Sequence, residues 1–251
     1  MLKSYSQGFY SSVGKRAENS AEEILEILMR YIEVSKLSNV VDLGCGAGAW
    51  TEKLLNKTKS KVSCLDLKES IDICQNKFGM SSTERLSYYS IDFELEELPP
   101  ISTDLVLNLE VLEHLSLESG LKLISWMSQH SRYVLFSAAT PGQGGTGHIN
   151  ERPHEFWLNV FRNQGFVACD IIRPLIQGSS ECARYYQLNV FLLVNLPLVS
   201  AEVERNKWES LAMGDKDEVR DYRSYMEKFQ FGLIRLLPSK FVTLLSKFFS
   251  H

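Results

Sequence analysis

Val40-Val41-Asp42-Leu43-Gly44-Cys45-Gly46-Ala47-Gly48 is an apolar run, with an acid two residues before its first glycine, that breaks into three glycines at alternate positions. Such a run reads as a buried strand, and the glycines let the following turn bring its backbone close to a ligand. A helical stretch from about Trp50 to Asn56 comes next, then a second apolar run, Val62 to Leu65, ending in Asp66. The unit is strand, turn, helix, strand. Its turn lies at the carboxyl end of the first strand, where doubly wound sheets bind nucleotides.

The alternation continues with a helix near Ile71 to Phe78, a strand near Leu86 to Ile91 and an apolar strand from Leu105 to Leu109. Helix Leu117 to Gln129 and strand Tyr133 to Ala138 follow. Parallel strands need crossover helices that cover both sheet faces, so the expected fold is α/β, a Rossmann-like doubly wound sheet. After Ala139 the rhythm changes. Phe156 to Asn163 reads as a helix, and Val167 to Ile172 and Gln187 to Val194 read as two closing strands, giving a mostly parallel sheet with an antiparallel end. In front, Ile24, Leu25, Ile27 and Leu28 recur at helical spacing among glutamates, with Ser20 placed as a cap. Helical extensions are thus expected at both ends: a cap over residues 1–36, the main domain over 37–196, and a charged helical extension over 197–251.

Composition narrows the class. With 44% hydrophobic and 23% charged residues the chain can bury a core without a disulfide or metal staple. A net charge of −4 argues against a nucleic-acid partner, whose phosphates call for a basic surface. Cys45, Cys64, Cys74, Cys169 and Cys182 are odd in number and lack the paired spacing of a zinc site, so reduced thiols in a cytoplasmic setting are expected. The stretch Met1 to Gly14 has no continuous apolar run that would make a signal or anchor.

On glycines alone a dinucleotide site competes, since Gly44, Gly46 and Ala49 also satisfy the looser form of that fingerprint. Asp66 suits the ribose of either cofactor. Asp92, after Ile91, favours an adenosine across the strand tips: its carboxylate is placed to accept from an adenine amino group while Ile91 packs on the ring. The fourth strand then ends Asn108-Leu109-Glu110-Val111-Leu112-Glu113-His114. In this order, the blocks 42–48, 66, 92 and 109–114 resemble class I S-adenosylmethionine-dependent methyltransferases over roughly the first 140 residues. The resemblance implies S-adenosylmethionine as cofactor and S-adenosylhomocysteine as product. It places Gly44 and Gly46 by the methionine part, Asp66 on the ribose, Asp92 on the adenine and Leu109 as a source of backbone contacts. Further cofactor contacts are expected from Asp42, Cys45, Gly48 and Trp50 around the turn, from Leu67, Ile91 and Phe93 at the next two strand ends, and from Glu110, His114 and the N-terminal Tyr10.

A second block, Ala139-Thr140-Pro141-Gly142-Gln143-Gly144-Gly145-Thr146-Gly147-His148-Ile149-Asn150, followed by Pro153 and Trp157, is similar to a bacterial methyltransferase subfamily associated with glycan or secondary-metabolite genes. Gln7, Phe9, Tyr10, Ser20 and Ala21 share that similarity, whereas Arg152 stands where the subfamily carries glutamine. The implied reaction is O-methylation of a small molecule, with a sugar or glycan precursor as the acceptor class. N-methylation of an amino sugar, a non-catalytic cofactor-binding protein and an NAD-linked oxidoreductase stay open as alternatives. A hydroxyl must lose its proton as the methyl arrives, and a histidine titrates near neutral pH, so His148 is the candidate base. Asn150 is the candidate acceptor contact, and His114 and Glu113 are alternatives as base or contact. His154 and Glu155 lack the spacing of a helical zinc-binding pair, so no metal is expected. Asp104 starts its strand and so lies at the far end from the cofactor. The apolar and basic segment 231–251 reads as a docking helix, with an anionic membrane surface as a competing partner; a homodimer is compatible with the sequence.

Overall fold

The computed structural model describes residues 7–33, 36–81, 83–214 and 218–235, with side chains from residue 15 onward. In chain order the elements are α1 (Gln7–Leu28), β1 (Asn39–Leu43), α2 (Ala49–Lys57), β2 (Lys61–Asp66), α3 (Lys68–Phe78), β3 (Leu86–Ser90) and β4 (Thr103–Leu109). After a 3-10 turn at Leu112–His114 come α4 (Leu117–His130), β5 (Ser131–Ser137), α5 (His154–Asn163), β6 (Phe166–Cys169), α6 (Arg173–Ile176), α7 (Arg184–Asn189) and β7 (Phe191–Asn195). Helices α8 (Glu202–Leu211) and α9 (Tyr225–Arg235) follow.

The seven strands form one sheet in the order β3-β2-β1-β4-β5-β7-β6. All pairings are parallel except those of β7, which runs against β5 and β6. Strand order reverses between β1 and β4, which opens a crevice beyond their carboxyl ends. Strand side chains alternate between faces, and each central strand is apolar on both. Val40, Leu105 and Leu192 pack with α1, α2 and α8 through Ile24, Leu54 and Trp208. Val41, Val106 and Leu193 pack with α4 and α5 through Ile124 and Phe161. The expected doubly wound sheet with an antiparallel closing strand is what the chain forms.

Three boundaries differ most from expectation. The first helix starts at Gln7, well ahead of Ala21. Gln187, Leu188 and Asn189 belong to α7 and not to the last strand, because the Gln187 amide donates to the Ser179 and Cys182 carbonyls at 2.8 and 2.7 Å, bonds that tie it to the preceding loop. Strand β6 stops at Cys169, since Asp170 turns to pair with the fully buried Arg173. Asp104 accepts the N–H groups of Ser38 and Asn39 at the amino end of the sheet, as its position required. Residues 236–251 of the apolar and basic tail lie outside the described residues. Among the described residues, no helix is long and apolar enough to cross a membrane.

Candidate active site

Beyond β1 the chain turns through Gly44 (φ 88°), Gly46 (φ 54°) and Gly48 (φ 73°) into α2. A left-handed backbone strains any residue with a Cβ. At Gly44 space also forbids one, since a Cβ would lie 2.4 Å from Cγ2 of Val111, just past β4. At Gly48 it would meet the Phe78 ring at 2.6 Å. The turn is held between α3 and the segment after β4.

Asp66 ends β2 beside the turn. Its carboxylate accepts the N–H of Gly46 at 2.8 Å and that of Leu67 at 2.7 Å. Burial pushes its pKa up, and those two N–H bonds pull against the shift. Past β3, Ile91 is buried, the Asp92 carboxylate accepts the Glu94 N–H at 2.9 Å, and Phe93 is partly buried. Leu109 ends β4. Gly46, Asp66, Asp92 and Leu109 therefore stand at or just past the carboxyl ends of four adjacent strands.

Two expected contacts have side chains turned to the core. Asp42 is buried, takes the Thr51 hydroxyl at 2.7 Å, and is pushed up to about 8 by burial. Trp50 is buried against Tyr186, donating its indole N–H to the phenol oxygen at 3.0 Å. Both brace the turn from the core side. The Cys45 thiol is also buried, 3.9 Å from that of Cys74. Tyr10 lies in α1, where side chains are outside the description.

The other wall of the crevice is built on carboxylates. Glu110 has φ 56°, the one positive φ of a non-glycine among the described residues. Such strain clusters at functional sites. Its N–H donates to the Ser137 carbonyl at 3.0 Å, and its carboxylate accepts from Gln143 at 3.1 Å and Asn189 at 3.4 Å. Glu113, in the 3-10 turn, is fully buried. One of its carboxylate oxygens accepts the Ala139 N–H at 3.2 Å, while its main-chain carbonyl takes the N–H groups of Ile149 and Asn150. Burial first, then the neighbouring Glu110 charge, raises Glu113 well above the usual carboxylate range.

That carbonyl draws the glycine-rich block back over the turn, so His148 and His114 meet edge to face with ring centres 4.8 Å apart. Glu151 organises the block. It accepts the N–H groups of Gly142 and Gly144, both at 2.8 Å, and holds Nδ1 of His148 at 2.9 Å. A carboxylate at Nδ1 favours the tautomer of the neutral ring that is protonated there. His114 is pushed down to about 4 by burial and by the adjacent His148, against a hydrogen bond with the Gly147 backbone. Asn150 is buried, its amide spent on the Leu112 carbonyl and on Arg152. Glu151 is the group whose role sequence reasoning missed; its position three residues after His148 was the only local signal.

Residues 40–132 match a family described as a methyltransferase domain. No curated protein matches the sequence. Among solved structures, the fold is similar to magnesium protoporphyrin IX methyltransferase from Synechocystis PCC 6803, solved with bound SAM. The two are 15% identical, with a TM-score of 0.54 over 77% of this chain and 86% of that one. It is also similar to the methyltransferase in complex with the Haloferax volcanii Trm112 activator, at 16% identity and TM-score 0.56 over 75% and 94% of the chains. A third, described as StiE O-MT, gives 15% identity and TM-score 0.51 over 76% and 80%. At these identities the likeness is one of fold.

Proposed function

We propose that this methyltransferase uses S-adenosylmethionine to methylate a hydroxyl of a small molecule, a sugar or glycan precursor being the acceptor class. The observation that carries the reading is the row of Gly46, Asp66, Asp92 and Leu109 across four adjacent strand ends. An adenosine bearing methionine fits that row. The bare backbone at Gly46 admits the methionine part, and the Asp66 carboxylate, already fixed by two N–H groups, has lone pairs left for ribose hydroxyls.

When bound, the cofactor supplies a methyl group on a sulfonium, electrophilic without further activation, so the protein's task is alignment and exclusion of water. Glu110 and Glu113 fix the segment after β4, and Glu151 fixes the glycine-rich block against it. The acceptor lies between these two walls. The acceptor hydroxyl faces the His148–His114 pair, where the Glu151 carboxylate orients His148. The choice of a sugar or glycan hydroxyl follows the resemblance of residues 139–150.

The His148→Ala variant tests the proton step. Turnover should fall on the order of 10²–10⁴-fold, with affinity for S-adenosylhomocysteine unchanged. Turnover at the level of the unaltered protein would remove His148 from the role.

A further inference from the structure

We propose that Glu113, His114 and His148 form a binding site for one divalent transition-metal cation of the zinc type, facing the acceptor hydroxyl. Each of the three offers one ligand atom, and these atoms all lie within 4.8 Å of one another. They come from two segments far apart in sequence, the 3-10 turn after β4 and the loop before α5, which explains why no metal spacing was visible in the sequence.

The second oxygen of the Glu113 carboxylate makes the case. It is fully buried and has no hydrogen-bond partner. As a carboxylate it lacks a donor, which costs about 1–3 kcal/mol; as an acid it gives its proton to the neighbouring Glu110 carboxylate. A cation removes that cost by taking a lone pair of the buried oxygen.

The histidines are prepared for the same ligand. Glu151 on Nδ1 of His148 is the outer carboxylate that fixes ring and tautomer in metal-binding histidines. Gly145 makes room for the ring: a Cβ there would lie 2.2 Å from Nε2 of His148. Two imidazoles and one carboxylate with an open fourth position suit zinc, whereas magnesium and calcium prefer oxygen ligands throughout. Bond lengths of about 2.0–2.2 Å put tetrahedral ligands about 3.4 Å apart, so the set closes by about an ångström on loading, a movement open to the glycine-rich loop.

Resting on the acceptor site assigned above, the cation would lower the pKa of the acceptor hydroxyl. The O–H bond then breaks with its proton going to solvent, the oxygen pair forms the bond to the methyl carbon, and the electrons of the broken C–S bond stay on sulfur. His148 acts there as a ligand in place of a base.

The test uses the untagged full chain, stripped with a chelator and titrated with zinc by calorimetry and with cobalt(II) by visible absorption. One equivalent of each should bind, cobalt giving the intense bands of a tetrahedral site. Glu113→Gln and His148→Ala should each weaken zinc binding by at least tenfold while S-adenosylhomocysteine affinity holds, which also shows that the variants fold. Absence of stoichiometric binding, or equal binding in both variants, overturns the site. Methyl transfer that survives chelation yet is lost in His148→Ala also overturns it and keeps the base reading. Zinc binding with the predicted losses but without transfer to any hydroxyl keeps the site and overturns the acceptor reading.

Discussion

Gly44 concentrates the local physics of the cofactor turn. Its φ of 88° is a conformation that L residues resist, and Val111 occupies the volume a Cβ would need. Gly44→Ala should lower stability by about 1–3 kcal/mol and weaken S-adenosylhomocysteine binding, because relief of the contact moves the turn or Val111. Chemical denaturation and calorimetry on one preparation check both, and unchanged values would show that the clamp is unimportant. Glu110 shows the opposite arrangement, a non-glycine kept at φ 56° because Ser137, Gln143 and Asn189 hold it there. Residues of this sort escape sequence reading. Gly44, Gly46 and Asp66 could be found because one strand-turn-helix-strand unit contains them. The roles of Glu113 and Glu151 exist only after the chain returns from β5 and folds residues 139–151 over the turn. Asp42 and Trp50 were placed in the site by nearness in sequence, yet their side chains point to Thr51 and Tyr186 in the core.

At the scale of elements, strands β1, β2, β4 and β5 were legible because burial on both faces leaves near-continuous apolar runs. The same signal misled at Gln187–Val194, where Leu188 extends the apolar run backwards into α7. Helix α9 is tied to α7 by a two-point ion pair, Arg184 Nε to Glu227 at 2.7 Å and its terminal nitrogen to the other oxygen at 2.9 Å. The guanidinium draws the Glu227 carboxyl down to about 2, from about 4.3 in an unfolded chain. A depressed acid stabilises the fold above its unfolded value and loses that contribution as pH falls through the folded one. Partial exposure moderates the size. The unfolding midpoint of the unaltered protein should therefore fall more steeply between about pH 5 and pH 2 than that of Glu227→Gln, as followed by circular dichroism. Parallel pH profiles would show that the pair does not hold α9.

The whole molecule is one sheet with helices on both faces, and the chain beyond β7 shares its core. Trp208 of α8 is completely buried, its ring 5.7 Å from that of Tyr133 on β5. Trp208→Ala should cost about 3–5 kcal/mol in denaturant unfolding, with a single transition retained; a small loss would mark α8 as a loosely attached appendage. Function depends on what enters the crevice at the strand-order reversal between β1 and β4. Calorimetry of the purified chain with S-adenosylhomocysteine and, separately, with NAD measures this most directly. The account predicts saturable one-to-one binding of S-adenosylhomocysteine, lost in Asp66→Ala, and no heat from NAD. Binding of NAD with none of S-adenosylhomocysteine would contradict it.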